Sequence, residues 1–294
     1  MSGLKKQALF AGAMAALLAA TSAFALDPGY RAPDPNNTVV VDTTKGRIVF
    51  EVYPVMAPAN AERILTLSHQ HFYDGLIFHR VIEDFMDQTG DPKGTGEGGS
   101  DLPNVKAEFT MRHDGAFPMT VASRPKGALI GFLGAMPVES QVNELLPMSA
   151  DGKVSAWPLY CQGVIGIARD NEPDSANSQF FFMRGANPNL EKHYTAVGTV
   201  IYGLDVVRKI KIGEPAVNPD KMLKVQVLAD MPEADRPQLE VMDTASPQFQ
   251  AIIDQTRKDK GADFSACDIT VPSKDLSAPV ASVDPTAPAA APAK

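Results

Sequence analysis

Several kinds of chemistry are missing from this sequence before any are present. Its 294 residues hold two cysteines, one tryptophan and five histidines. No G-x-S-x-G stretch occurs, so the strained turn that exposes a serine nucleophile is absent. The Gly-rich run "GTGEGG" at 94–99 lacks the Lys-Ser/Thr pair of a phosphate loop and carries Glu97, which would repel phosphate, so it reads as a tight turn. His69 and His71 stand two apart in a helical pattern and point in different directions; even with His79 nearby they make a poor metal set. No repeat at solenoid spacing is visible. Positive charge is also scarce: formal net charge is −8, which argues against nucleic acid and anionic membranes as partners. A soluble acidic surface is the plainer reading.

Apolar runs are short. The longest, Ala8–Ala20, follows Lys5 and Lys6 and precedes Ala23-Phe24-Ala25. A basic head, a short apolar middle and a small-x-small site predict a secretory signal peptide over 1–25, cut after Ala25. The run is short for a membrane span and no later segment approaches the necessary length, so no membrane contact is expected after cleavage. The cut removes two lysines and no acid, which takes the charge from −8 to −10. In an exported chain, Cys161 and Cys267 suggest one disulfide, with two free thiols as the alternative.

What is present is mostly strand text. Residues 26–37 ("LDPGYRAPDPNN") read as a linker. "TVVVDTTKGRIVFEVYP" gives two strands about a Lys45-Gly46 turn, with Ile48, Phe50 and Val52 alternating. Pro58 suits the start of a helix whose Ala61, Ile64, Leu65 and Ser68 share a side. In "FHRVI", period-two alternation puts Phe78, Arg80 and Ile82 on one face, so a guanidinium sits among apolar side chains and needs a partner. From Phe109 to Tyr160 the text is irregular and rich in Pro and Gly. "GVIGIAR", "SQFFFMRG", "TAVGTVIYG" and "KVQVLAD" are further strands, and "GLDVVRKIK" a short helix. Many short strands with few helices predict a closed barrel or a sandwich. Beyond Met231, Ser246 and Pro247 open a helix with a Phe249, Ile252, Ile253, Thr256 stripe closed by Gly261. The Pro/Ala-rich end, 271–294, is expected to be disordered.

Two segments carry the chemistry together. "FHRVIEDFMDQTGDPKGTGEGG" and "IARDNEPDSANSQFFFMRGANPNLEKHYTAVG" resemble, in order, the two signature regions of the cyclophilin-type peptidyl-prolyl cis–trans isomerases. The resemblance spans residues 38–230, with an insertion at about 112–159 and a C-terminal extension at 231–270. It implies a mainly β fold: a closed, eight-stranded, antiparallel barrel with two capping helices and an active groove on its outer face. It implies Arg80, Gln88 and Phe85 as catalytic. It implies Met86, Gln179, Phe181, Leu190 and Tyr194 as substrate-binding, with Ala168 and Arg169 contributing backbone. Arg80 would then face a substrate proline, held by Gln88; a surface pair with Glu83 or Asp84 is the bland alternative. The reaction breaks no bond, so neither cofactor nor metal is implied.

The implied partners are proline-containing, unfolded or partly folded exported polypeptides in a periplasm, met by a monomer. A proline-binding chaperone or scaffold with little turnover is the alternative function. Three departures stand out. Asn189 occupies the position where cyclosporin-sensitive members carry tryptophan, Tyr194 replaces a common histidine, and Val197 replaces a pocket-side phenylalanine. The insertion's "LIGFLGAMPVESQVNELLPM" is too apolar for a solvated loop and should pack on the barrel, as a structural flap or as a reader of substrate.

Overall fold

The computed structural model describes residues 26–277; the signal peptide read at 1–25 and residues 278–294 of the tail lie outside them. Within the described residues no helix is long and apolar enough to cross a membrane. A short strand β1 (Tyr30–Arg31) precedes the hairpin β2 (Thr38–Thr43) and β3 (Gly46–Val52). Helix α1 (Pro58–His69) buries Ala61, Ile64, Leu67 and Ser68 at helical spacing. Its N-cap, Ala57, has no side chain to cap with; the Glu108 carboxylate instead accepts the Ala59 and Asn60 N–H groups, placing a negative charge at the positive helix end. Strands β4 (Arg80–Ile82) and β5 (Met86–Thr89) follow.

The next stretch is where the sequence reading fails most plainly. Residues 111–158 are an antiparallel sheet, not irregular chain. They form β6 (Met111–His113), β7 (Thr120–Ser123), β8 (Ala128–Leu133), β9 (Met136–Gln141) and β10 (Val154–Pro158), in the order β6-β10-β9-β8-β7. Pro and Gly lie at the joins and within these short strands, which masks the alternation. The main chain then continues through β11 (Val164–Ile167), β12 (Phe180–Met183), β13 (Ala196–Tyr202), α2 (Leu204–Lys209) and β14 (Met222–Val227).

The principal sheet has eight strands in the order β14-β2-β3-β13-β11-β12-β5-β4, every pairing antiparallel. It curls but does not close, which corrects the closed-barrel expectation. No ladder joins the edge strands β4 and β14. They are bridged by one isolated pair, Ile77 with Lys221, and by hydrogen bonds such as Phe78 N to Asp220 O. The physical cause is that the chain before β4 is not a strand. Phe78 therefore does not share a face with Arg80; it turns inward to the same core as Val81.

Two apolar cores result, one on each side of the curled sheet. Phe180 and Phe182 point inward with Val39, Val41, Ile48, Phe50 and Ile165. Phe181 and Met183 point outward, as period-two alternation requires. An outward apolar face must be covered, and the insertion and the C-terminal extension cover it. Strand β15 (Leu239–Met242), helix α3 (Pro247–Lys260) and strand β16 (Ser273–Asp275) build the extension. Ser246 accepts the Phe249 N–H as the α3 cap, and Phe249 and Ile253 are buried. Phe249 meets Phe132 of β8 edge-on, with centroids 5.1 Å apart.

Two boundaries are also corrected. Residues 26–37 are no free linker, because β1 pairs with β15 and Arg31 forms a two-pronged ion pair with Glu51. The extension is more than one helix, and ordered chain continues past 271 because β16 pairs with β15 in a three-stranded sheet. The disulfide Cys161–Cys267, with Cα atoms 5.0 Å apart, ties the extension to the segment before β11.

Candidate active site

Register assembles the site. Arg80 pairs with Gln88 across β4 and β5, Gln88 with Phe181 across β5 and β12, and Phe181 with Gly166 across β12 and β11. Directly paired residues project from the same face, so these four form one row on the outer surface of the sheet. The fourth member has no side chain for a reason: a Cβ on Gly166 would sit 2.2 Å from the Phe181 ring, which lies over that backbone. Met86, two residues before Gln88, joins the same face.

The row opens into a pocket of about 110 Å³ lined by Arg80, Phe85, Met86, Gln88, Ala168, Arg169, Phe181, Leu190 and Tyr194. Met86, Phe181 and Leu190 are buried, whereas the Arg80 side chain keeps 41% of its exposure. Nine of the ten sequence-read residues therefore meet at one place. The tenth, Gln179, stands just behind. Its Oε1 accepts from Gln88 Nε2 at 2.9 Å, and its own Nε2 donates to the Gly96 and Gly98 carbonyls. Gln88 Oε1 in turn accepts from Arg80 Nη1 at 3.4 Å, so one relay runs from the Gly-rich turn to the guanidinium.

That turn is held by Asp91. Burial opposes its charge, but N–H groups of Lys93, Gly98, Gly96 and Thr95 outweigh that and hold the carboxyl below its ordinary value. Gly98 must be glycine, because a Cβ there would lie 1.8 Å from Asp91 Oδ1. Beneath the turn, burial pushes the His79 imidazole below its ordinary value, against the pull of Asp91 and Gln179. A polar cleft of about 610 Å³ continues from the pocket past Gly96–Ser100, Asn177 and Gln179.

The far wall is braced from outside. Arg169 does more than lend backbone: its guanidinium lies 4.4 Å from the Tyr194 ring centroid, and Nη2 donates to the His193 carbonyl at 3.0 Å. Tyr160 stacks behind Phe181, and its carbonyl accepts the Asn187 N–H at 2.8 Å. Lys192 sits over Trp157 of β10 at 4.4 Å. Burial, and Glu139 of β9 nearby, lift the Glu191 carboxyl to about 6 against the Tyr160 N–H and Lys192. No residue of the insertion lines either cavity.

One placement differs from the sequence reading, and two add to it. Val197 is fully buried in the inner core and lines neither cavity; it sits at the register shift between β11 and β13, where the chain turns it inward. Asn189 is exposed beside Leu190 and does not line the pocket. Arg80 pairs with neither Glu83 nor Asp84; its Nε donates to Glu214 Oε2 at 2.9 Å. Nothing local in the sequence points to that partner, 134 residues away.

A pocket that sets Phe85, Met86, Phe181 and Leu190 beside the Arg80 guanidinium, with no nucleophile and base among its lining residues, suits a reaction that turns a bond without breaking one. The comparisons agree. Residues 38–229 match the model of the cyclophilin type peptidyl-prolyl cis-trans isomerase family. A probable peptidyl-prolyl cis-trans isomerase of Brucella abortus is 33% identical over 215 residues, covering 68% of this chain and 86% of the relative. A peptidyl-prolyl cis-trans isomerase-like 3 of Rattus norvegicus is 30% identical over 185 residues, covering 62% and 88%. The crystal structure of a cyclophilin from Hirschia baltica superposes with a TM-score of 0.76 at 34% identity, covering 83% of this chain and 92% of that one. The chain belongs to the cyclophilin-type peptidyl-prolyl cis–trans isomerases, and is an isomerase.

Proposed function

We propose that the enzyme accelerates X–Pro isomerisation in unfolded or partly folded exported polypeptides, acting as a monomer in the periplasm after removal of residues 1–25. The observation that carries the site reading is the cross-strand row of Arg80, Gln88 and Phe181. Twisting an X–Pro amide costs about 20 kcal/mol, because the C–N bond loses its partial double-bond character. The proline nitrogen regains its lone pair as conjugation fades. Arg80 Nη2, which has no hydrogen-bond partner among the described residues, is the donor for that developing charge or for the proline carbonyl. Met86, Phe181, Leu190 and Phe85 grip the ring while the preceding carbonyl swings. Tyr194 closes the wall, and the Ala168–Arg169 backbone and Gln179 hold the flanking peptide. This is stronger binding of the twisted amide than of either planar form.

The insertion acts as a brace in this reading and not as a reader of substrate. It supports the Leu190–Tyr194 wall from behind and reaches neither cavity.

The test is a conformer-specific peptide assay on the mature chain. Arg80→Ala should lower kcat/KM by about 10²–10³-fold, equal to about 3–4 kcal/mol of transition-state stabilisation, with the thermal midpoint nearly unchanged. Arg80→Lys should recover little, since an ammonium lacks the planar fork. A folded Arg80→Ala protein working at the parent rate would remove Arg80 from the mechanism. A parent protein no faster than buffer would leave the proline-binding chaperone role.

A further inference from the structure

Two sides of the Arg80 guanidinium are already engaged. Nη1 donates to Gln88 within the sheet, and Nε donates to Glu214 from outside it. Glu214 belongs to the loop between α2 and β14, and that loop is fastened to the site by backbone. Val81 and Gly213 exchange two hydrogen bonds, of 2.9 and 3.0 Å, as an antiparallel bridge. The Asp220 carboxylate accepts the Lys211 N–H at 2.8 Å and the Thr44 hydroxyl at 2.6 Å, closing the loop at its base. Glu214 follows Gly213 and Arg80 precedes Val81, so backbone pairing delivers the carboxylate to the guanidinium. This is no chance meeting of two long side chains.

Both side chains are well exposed, 41% for Arg80 and 56% for Glu214, and exposed ion pairs add little to stability. The consequence lies in orientation. A guanidinium carries its donors in one rigid plane. With Nη1 held on one side and Nε on the other, that plane has one setting, and Nη2 is the nitrogen left without a partner among the described residues. We propose that Glu214 is a positioning residue of this isomerase: it fixes the Arg80 plane so that Nη2 addresses the amide in the pocket. The proposal rests on the reading of Arg80 as the donor. Loss of Glu214 would leave the Arg80 guanidinium held by Gln88 alone, with its plane no longer fixed from the second side. Small misplacements of a catalytic group cost up to about 100-fold in rate, so a loss of about 10-fold is expected for a group that Gln88 still holds.

The experiment compares Glu214→Ala, Glu214→Gln, Arg80→Ala and the Arg80→Ala/Glu214→Ala pair in the conformer-specific peptide assay, each with its thermal midpoint. Glu214→Ala should lower kcat about 10-fold, with KM within about twofold and the midpoint within about 2 °C of the parent. Glu214→Gln keeps an acceptor for Nε and should retain part of the rate. In the Arg80→Ala background, Glu214→Ala should change nothing further, because it acts only through Arg80. A Glu214→Ala protein at or above the parent rate overturns the proposal, as does an equal loss in the Arg80→Ala background. If Arg80→Ala itself matches the parent, the reading of Arg80 falls, and with it this one. If Arg80→Ala is slow while Glu214→Ala is not, only this one does.

Discussion

The rings of Tyr160 and Phe181 stack with centroids 6.2 Å apart and planes 25° apart, so the wall of the Arg80 pocket rests on a residue that never reaches the pocket. Tyr160 is fully buried, and its hydroxyl finds no hydrogen-bond partner among the described residues. A buried unpaired polar group costs about 1–3 kcal/mol. Tyr160→Phe should therefore be neutral or more stable by about 1 kcal/mol, at parent activity. Tyr160→Ala should cost about 3–5 kcal/mol and slow turnover, because the void lets the Phe181 ring retreat. Urea denaturation together with the peptide assay decides this; a strongly destabilised Tyr160→Phe protein would mean that the hydroxyl is satisfied after all.

The residue after Tyr160 is Cys161, bonded to Cys267 across 106 residues of chain. A disulfide typically contributes about 2–4 kcal/mol, and the loop-entropy relation puts a loop of this length at or just above the top of that range. Thiol titration of denatured, unreduced protein should find no free thiol. Replacing both cysteines by serine should lower stability by that amount, yet leave kcat/KM within about threefold, since the packing of Phe249, Ile253 and Leu239 still docks the extension. Two titratable thiols in exported protein would sink the idea.

A pH signature follows from Glu191, whose carboxyl is lifted from 4.5 to about 6 chiefly by burial. Between those values the folded state keeps a proton that the unfolded chain releases. Stability from this group therefore falls as pH rises from about 4.5 to 6, and the cost is fully present above 6. Glu191→Gln should remove it. With partial exposure discounted, the gain at pH 7 is about 1 kcal/mol, or about 2–4 °C in Tm, with no gain at pH 4. An equal difference at both pH values would show that the effect is not titration.

Cyclosporin should bind weakly. Asn189, exposed beside Leu190, offers an amide where sensitive relatives offer an indole ring. The lost ring contact is worth about 1–3 kcal/mol, or about 10–100-fold in affinity. Asn189→Trp should recover at least about 10-fold, measured by inhibition of the peptide assay. Nanomolar inhibition of the parent chain would contradict this.

Much of the site was readable because it is written in short motifs. Arg80, Phe85, Met86 and Gln88 fall within nine residues, and Gln179 and Phe181 within three. Strand alternation alone sends Phe181 outward and Phe180 and Phe182 inward. The ends of α3 were legible for the same reason: Ser246, Pro247 and Gly261 act on backbone groups within one turn. A fully apolar "FFFM" strand also carries a message in itself, since a sheet apolar on both faces needs a cover on both.

What supplies the cover was decided by tertiary structure. Nothing within a few residues of Tyr30 says that it will pair with Met242, or that the prolines of 111–158 punctuate a sheet instead of a loop. The same holds for Val197, which lies at the register shift between β11 and β13 and turns inward there. It holds most for Arg80. A guanidinium in an apolar strand demands a partner, and that demand is local. Which carboxylate answers it depends on where a loop 134 residues later is pinned by backbone hydrogen bonds, and that loop brings Glu214 to Arg80 in place of the chain neighbours Glu83 and Asp84. Propensity, alternation and capping act over a few residues and belong to the sequence; pairing between distant edges depends on the whole sheet's curl, and only the folded chain settles it.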